Sequence, residues 1–453
     1  MMSDLLRVAT EPAGSTTVVE RVAGSEPRRL PGADPREAHS TRNPVRFGAM
    51  LVQLALLLLL FRAYHLETPA FLLLSAAAFA GFGVHYWLPF RLKETFTIGL
   101  SLATAYLILE PLTATLLIAA GLAFFAVAAS PLSYGWKLVV VVTAGVCLMA
   151  GRATEIGFVP LQFWPVFGGI FMFRTMVYFY DLRYMRSRPS LKEYLAYFFL
   201  LPNYYFLLFP VVDFQTQRRT YYQRDIHLIA QQGIGWMARG AVQLLLYRLV
   251  YHLKPPMTPD AVTTFGALAT AVITTYLLYL RVSGQFHIIV GMMHLFGYDL
   301  PETHRRYLLA SSLTDFWRRI NIYWKDFMVK LVYFPVYFRM RRSGETRAQL
   351  VATGFVFTAT WLLHSYQWFW LKGDFLFTWP DTLFWGILGV LVALNLLWEG
   401  RRKGRRGAAT KESPVSHAVQ VAFTFCLITL LWSLWNSPTM GTWFDLLTWW
   451  ELG

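Results

Sequence analysis

The sequence predicts an all-α, polytopic transmembrane bundle with re-entrant segments around a central chamber, and three observations carry that prediction. Hydrophobic residues make up 56% of the 453 residues and charged residues 15%, against roughly 25% charge in soluble domains. The apolar residues gather in runs long enough to cross a hydrocarbon core as helices, about 20 residues each. The Lys and Arg residues collect in short loops between the runs, as the positive-inside bias requires.

The elements follow in order. Residues 1–45 are rich in Pro, Gly, Ser, Thr, Glu and Arg without helical or strand period, and read as a disordered cytoplasmic tail. Residues 46–453 read as one multi-pass membrane domain. Its first apolar run starts near Gly48, too late for a cleaved signal peptide. Spans are predicted near 47–64, 70–90, 97–110, 112–130, 135–151, 157–181, 226–251, 258–281, 348–371, 376–398 and 416–436. Glu110-Pro111 either divides 97–130 into a hairpin or kinks one long helix.

Orientation comes from four basic clusters: Arg91 with Lys93; Arg183, Arg186 and Arg188; Arg339, Arg341, Arg342 and Arg347; and Arg401 through Arg406. All fall on one side if the N-terminus is cytoplasmic and 97–130 is a hairpin. Segments 191–213 (with Pro202 and Pro210), 284–298 and 322–338 do not fit as spans and read as re-entrant. Irregular backbone at membrane depth survives only where protein buries it or water fills a cavity, which is the argument for a chamber.

Several function classes drop out. The net charge of +15 is spread over loops rather than gathered on a polar domain, which argues against a nucleic-acid partner. The two cysteines, Cys147 and Cys426, lie in apolar runs and read as buried thiols. His287 and His294 share a helical face with His304 nearby, but no Cys or well-spaced carboxylate completes a metal site. No Gly-rich phosphate loop is present, and no tightly bound cofactor is expected.

Ionisable residues inside a membrane are costly, so each is a candidate for function. His364 sits in an apolar run between Trp361 and Trp368. A rise of about 1.5 Å per residue puts it more than ~20 Å from the cytoplasmic entry of its helix. It is either a hydrogen-bonded core residue or a general base. The second feature is 311–338, containing Ser312, Asp315, Phe316, Trp317, Arg318, Arg319, Asn321, Trp324 and Lys325. An interfacial helix with snorkelling arginines explains its Arg and Trp residues and leaves Asn321 unexplained.

Segment 311–338 resembles the signature of the membrane-bound O-acyltransferase family, nearest its bacterial branch that O-acylates exported polysaccharides such as alginate. That branch reads S-x-x-D-F-W-R-R-W-H-I-S with an aromatic run ending near Y-I-P, matched here at Ser312, Asp315, Phe316, Trp317, Arg318, Arg319, Ile322, Tyr333 and Pro335. Phe296 to Glu302, Ser283 to Gly291, Phe171 to Asp181, and Pro210 with Phe214 fall where further family stretches would. His364 falls on the histidine of the second motif, and the resemblance covers about 160–400. Two departures stand out. Asn321 replaces the histidine of R-R-W-H, as in eukaryotic members acting on lipids and proteins, and Ser365 follows His364 where the family has Gly.

The resemblance implies an acyltransferase of the bacterial inner membrane, with acyl-CoA or an acyl carrier as donor and a hydroxyl of a polysaccharide, lipid or other molecule as acceptor. His364 and Asn321 would be catalytic. Asp315, Trp317, Arg318, Arg319, Trp324, Lys325, Trp361 and Trp368 would bind donor or substrate. The physical chemistry agrees: an imidazole suits proton abstraction near neutral pH, and a carboxamide can donate to a tetrahedral oxyanion. The competing expectation is a transporter or flippase built on broken helices; a third is an inactive family member retained for interaction.

Overall fold

The computed structural model describes residues 34–185, 189–208, 212–405 and 413–448. The predicted tail up to residue 33 therefore lies outside the described residues, as do Arg186, Arg188, Pro210 and Arg406. Part of the stretch expected to be irregular is ordered. Pro35–His39 forms a 3-10 turn capped by Asp34, and Arg36 lies over the Tyr221 ring at 5.6 Å.

Helices make up the fold. Five regular ones come first: α1 Pro44–Ala63, α2 Pro69–Trp87, α3 Phe90–Ile108, α4 Pro111–Ala129 and α5 Tyr134–Ala153. The Glu110-Pro111 ambiguity resolves into two helices, with Pro111 in the first turn of α4, where its missing N–H is not needed. Next come α6 (163–182), with a π-helical turn at Phe167–Met172, and the short α7 Leu191–Phe198 and α8 Phe214–Thr220. The C-terminal half holds α9 Ile226–Leu253, α10 Phe265–Leu277, α11 Leu280–Leu295 and α12 Leu313–Ile320. It continues with α13 (322–340, π-helical at Val329–Tyr333), α14 Glu345–Lys372, α15 Trp379–Arg405, α16 Pro414–Trp435 and α17 Met440–Leu447. Among the described residues no strand forms, only one antiparallel bridge between Tyr221 and Tyr298. Seven of the described helical stretches are long and apolar enough to cross a membrane by length and composition. The protein is a helical membrane bundle.

One end of the bundle collects the basic loops and is tied by ion pairs. Lys192 meets Glu94 at 3.0 Å, Arg218 pairs with Glu193, and Lys330 bridges Asp181 and Asp213. Between these ties, the described residues 191–208 and 212–213 fit the re-entrant reading. The segment's ends lie at the basic end, while the Tyr205 hydroxyl meets Glu67 and Thr68 in the α1–α2 loop at the opposite end.

Residues 284–298 are a correction. They are not re-entrant; 284–295 belong to α11, the second part of a broken helical stretch at Phe265–Leu295. The stretch from Ser283-Gly284 to Gly291 is a packing face. A Cβ on Gly240 would meet the Gly284 carbonyl at 2.5 Å, and one on Gly233 would meet the Gly291 carbonyl at 2.6 Å. Glycine at matched sevenfold spacing on both helices lets the antiparallel backbones touch, as small residues do in membrane helix pairs. The cysteines are a second correction. Cys147 and Cys426 are exposed on outer faces of the bundle, because in a membrane an apolar run also covers the lipid-facing surface.

Segment 312–340 forms a hairpin that enters from the basic end and returns to it. Entry is marked by Ser312 and Thr314, whose hydroxyls donate to Glu399 in the last turns of α15. Return follows α14 antiparallel: Met328 and Val356 share one apolar cluster, and Tyr337, Ala348 and Ala352 share another nearer the basic end. The re-entrant expectation for 322–338 therefore holds, with Asn321 at the turn of the hairpin.

Candidate active site

His364 is placed by α14. It follows Glu345 by nineteen residues, about 28 Å of helix from the basic end, and precedes Lys372 by eight, about 12 Å from the other. Its imidazole packs against two indoles, with ring centroids 5.1 Å from Trp435 and 5.6 Å from Trp385. Among the described residues no hydrogen bond reaches the ring, so neither nitrogen is committed.

One of these indoles is fixed by Asp381, in the first turn of α15 and 2% exposed. Trp435 Nε1 donates to Asp381 Oδ1 at 2.7 Å. Sequence reasoning missed Asp381, Trp385 and Trp435. An acid just after Trp379-Pro380 reads as an ordinary helix-start residue, and its Trp435 partner lies 54 positions away.

Asn321 sits between α12 and α13 at φ −143°, ψ 84°. Its Oδ1 accepts from Trp324 N at 3.1 Å, an N-cap that turns the chain back toward the basic end. This accounts for an asparagine here, which the interfacial-helix reading could not. It occupies the oxygen only; among the described residues Nδ2 makes no hydrogen bond. Trp324, in the same turn, donates from Nε1 to Thr360 Oγ1 at 3.4 Å. Thr360 precedes His364 by four residues, about 6 Å along α14. The hairpin tip and His364 thus meet α14 one turn apart. Trp317 also lies on α14, 4.7 Å from the Phe357 ring, and Phe173 packs on both Trp324 and Tyr366.

The remaining expected residues divide. Trp361, three before His364, packs against Phe377 at 5.4 Å. Asp315 is largely structural. It accepts from the Ser311 backbone at 3.1 Å and holds Arg319 at 2.7 Å. Lys325 is paired with Asp326 at 2.8 Å. Arg318 is exposed and makes no ion pair among the described residues. Trp368 lies one turn beyond His364 on α14, with Lys372 5.9 Å over its ring. His287 and His304 stand 5.9 Å apart, His287 bonded to Gln243 and His304 to Tyr279.

No protein-family model matches the chain. The chain is similar to the protein-cysteine N-palmitoyltransferase HHAT of Mus musculus, 28% identical over 188 residues. The matched part is 39% of this chain and spans 36% of the mouse protein. This similarity supports the resemblance to membrane-bound acyltransferases at the level of the superfamily. It does not extend to the bacterial alginate-type branch.

Proposed function

We propose that the protein is a membrane-embedded acyltransferase that moves an acyl group from acyl-CoA, or an acyl carrier, to a hydroxyl acceptor. The observation that supports this reading is an uncommitted imidazole deep in α14 together with a hairpin whose Trp324, next to the Asn321 cap, reaches Thr360 one helical turn before His364. The acceptor hydroxyl oxygen attacks the thioester carbonyl carbon while a His364 nitrogen takes its proton. Asn321 Nδ2 donates to the tetrahedral oxyanion. As the intermediate collapses, the carbon–sulfur bond breaks and the departing thiolate takes the proton from His364. Trp317, Trp324 and Trp361 present apolar surface to the acyl chain. Arg318 is the residue placed to meet donor phosphates, since Arg319 and Lys325 already hold carboxylates.

The basic loops would face the cytoplasm, with the N-terminus on the same side, in a bacterial inner membrane. A lipid, polysaccharide or other hydroxyl is the proposed acceptor class, and Asn321 in place of the motif histidine follows the pattern of members acting on lipids and proteins. A protein acceptor is the second reading, motivated by the name of the mouse relative. Mass spectrometry decides between them after purified protein is incubated with a panel of acyl-CoAs and glycan, lipid and peptide acceptors. Acyl mass on a hydroxyl, released by mild base and matched by free CoA, is the expected product. Absence of acyl transfer across the panel, with intact thioester throughout, contradicts the reading and favours the transporter.

A further inference from the structure

The helix that Asp381 begins does not explain why an acid is buried there. Helix α15 starts at Trp379, and its first turn is already served by Thr378, whose hydroxyl accepts from the Asp381 N–H at 3.3 Å. An acid that merely offset the helix dipole could face water; this carboxylate is 2% exposed. Burying a carboxylate is costly unless donors compensate it.

The donors are indoles. Trp435 Nε1 donates to Asp381 Oδ1 at 2.7 Å. The Trp361 and Trp385 indole N–H groups are turned toward the same carboxylate, and neither has another hydrogen-bond partner among the described residues. The three indoles come from three helices. Trp361 stands on α14 three residues before His364, Trp385 on α15 four residues after Asp381, and Trp435 at the end of α16.

Two of these rings are the ones against His364. Trp385 and Trp435 stand at 72° to each other with centroids 5.6 Å apart, and the imidazole lies 5.6 Å from the first and 5.1 Å from the second. Phe384 stacks on Trp435 at 4.7 Å and 6°. Packing thus sets the plane of the Trp435 ring, and the carboxylate sets its rotation within that plane.

We infer that Asp381 is a positioning residue for His364, holding the corner of indoles against which the imidazole is set. It acts through Trp435 and Trp385 rather than on the reacting atoms, and the inference rests on His364 being the base. Misplacing a reacting group by about 1 Å can cost about 100-fold in rate. Loosening the corner is therefore read in turnover and not in donor binding.

Release of free CoA from acetyl-CoA and from palmitoyl-CoA by the full chain in detergent, with the glycan, lipid and peptide acceptors present, tests it. Melting temperature is recorded for every variant, and His364→Ala is the reference. Asp381→Ala lowers turnover about 10- to 100-fold and leaves the Michaelis constant for the acyl-CoA within about twofold of wild type. Asp381→Asn keeps an oxygen for Trp435 Nε1 and recovers turnover to within about threefold of wild type. Trp435→Phe keeps an aromatic ring but loses the N–H. It slows turnover about as much as Asp381→Ala, the double variant is no slower than either, and it carries the test if Asp381→Ala does not fold. Wild-type turnover in Asp381→Ala, with His364→Ala inactive, overturns the inference and leaves the base in place. So does an Asp381→Asn protein as slow as Asp381→Ala. No CoA release by wild type, or near-normal release by His364→Ala, removes the base and this inference with it.

Discussion

The five N-terminal helices and the two broken segments at 191–220 and 312–340 solve the same solvent problem in opposite ways. Helices α1 to α5 bond their backbone internally; α5 presents nearly all of its apolar side chains outward, whereas about half of α2 is buried. Such helices can hold lipid but offer little chemistry. The broken segments give up internal backbone bonding at their turns and must replace it with side chains. Asn321 caps α13, Asp213 caps α8, Ser312 caps α12, and Lys330 joins Asp181 to Asp213. Irregular backbone at depth is expensive, and here it brings Trp324, next to the Asn321 cap, onto Thr360 one turn before His364.

Five changes would break or sharpen that contrast. The largest effect on stability is expected from Lys330→Met. It leaves Asp181, 1% exposed, beside Asp213 without a cation, and breaking a buried pair costs about 3–5 kcal/mol. A melting temperature in detergent close to wild type would show that the hairpins do not depend on this junction. Gly240→Ala comes next. The added methyl meets the Gly284 carbonyl at 2.5 Å, and overpacking of this kind costs about 1–3 kcal/mol, read as a lower melting temperature.

Asn321→Ala removes a cap worth about 1 kcal/mol, a small loss of stability. Turnover should fall about 100- to 1,000-fold if Nδ2 serves the oxyanion. A stability loss with unchanged turnover assigns Asn321 to capping alone. The smallest effect belongs to Arg318→Gln, which should raise the Michaelis constant for acyl-CoA with little change in turnover. Arg319→Gln, which breaks the Asp315 pair, should act mainly on stability.

The regular helices were legible because apolar run length is a strong signal: 135–151 was expected and α5 is Tyr134–Ala153. Taken alone, 284–298 is too short to span and reads as re-entrant, but residues 284–295 are the second part of a longer broken stretch, Phe265–Leu295. Helix α17 was too short to register. At the site, His364 stood out because a membrane makes any titratable group conspicuous. Asp381 did not, since its meaning lies in an indole that the chain reaches only after crossing α15 and α16. Asn321 was noticed as an anomaly, and its capping bond became visible only with the turn between α12 and α13.

The central claim rests on His364 as the base, and turnover of the His364→Ala protein at saturating acyl-CoA tests it most directly. General-base catalysis contributes about 100- to 10,000-fold, so acyl transfer should fall by that factor while the melting temperature stays near wild type, the ring having no hydrogen bond to lose. Near-normal acyl transfer by a well-folded His364→Ala protein would contradict the account.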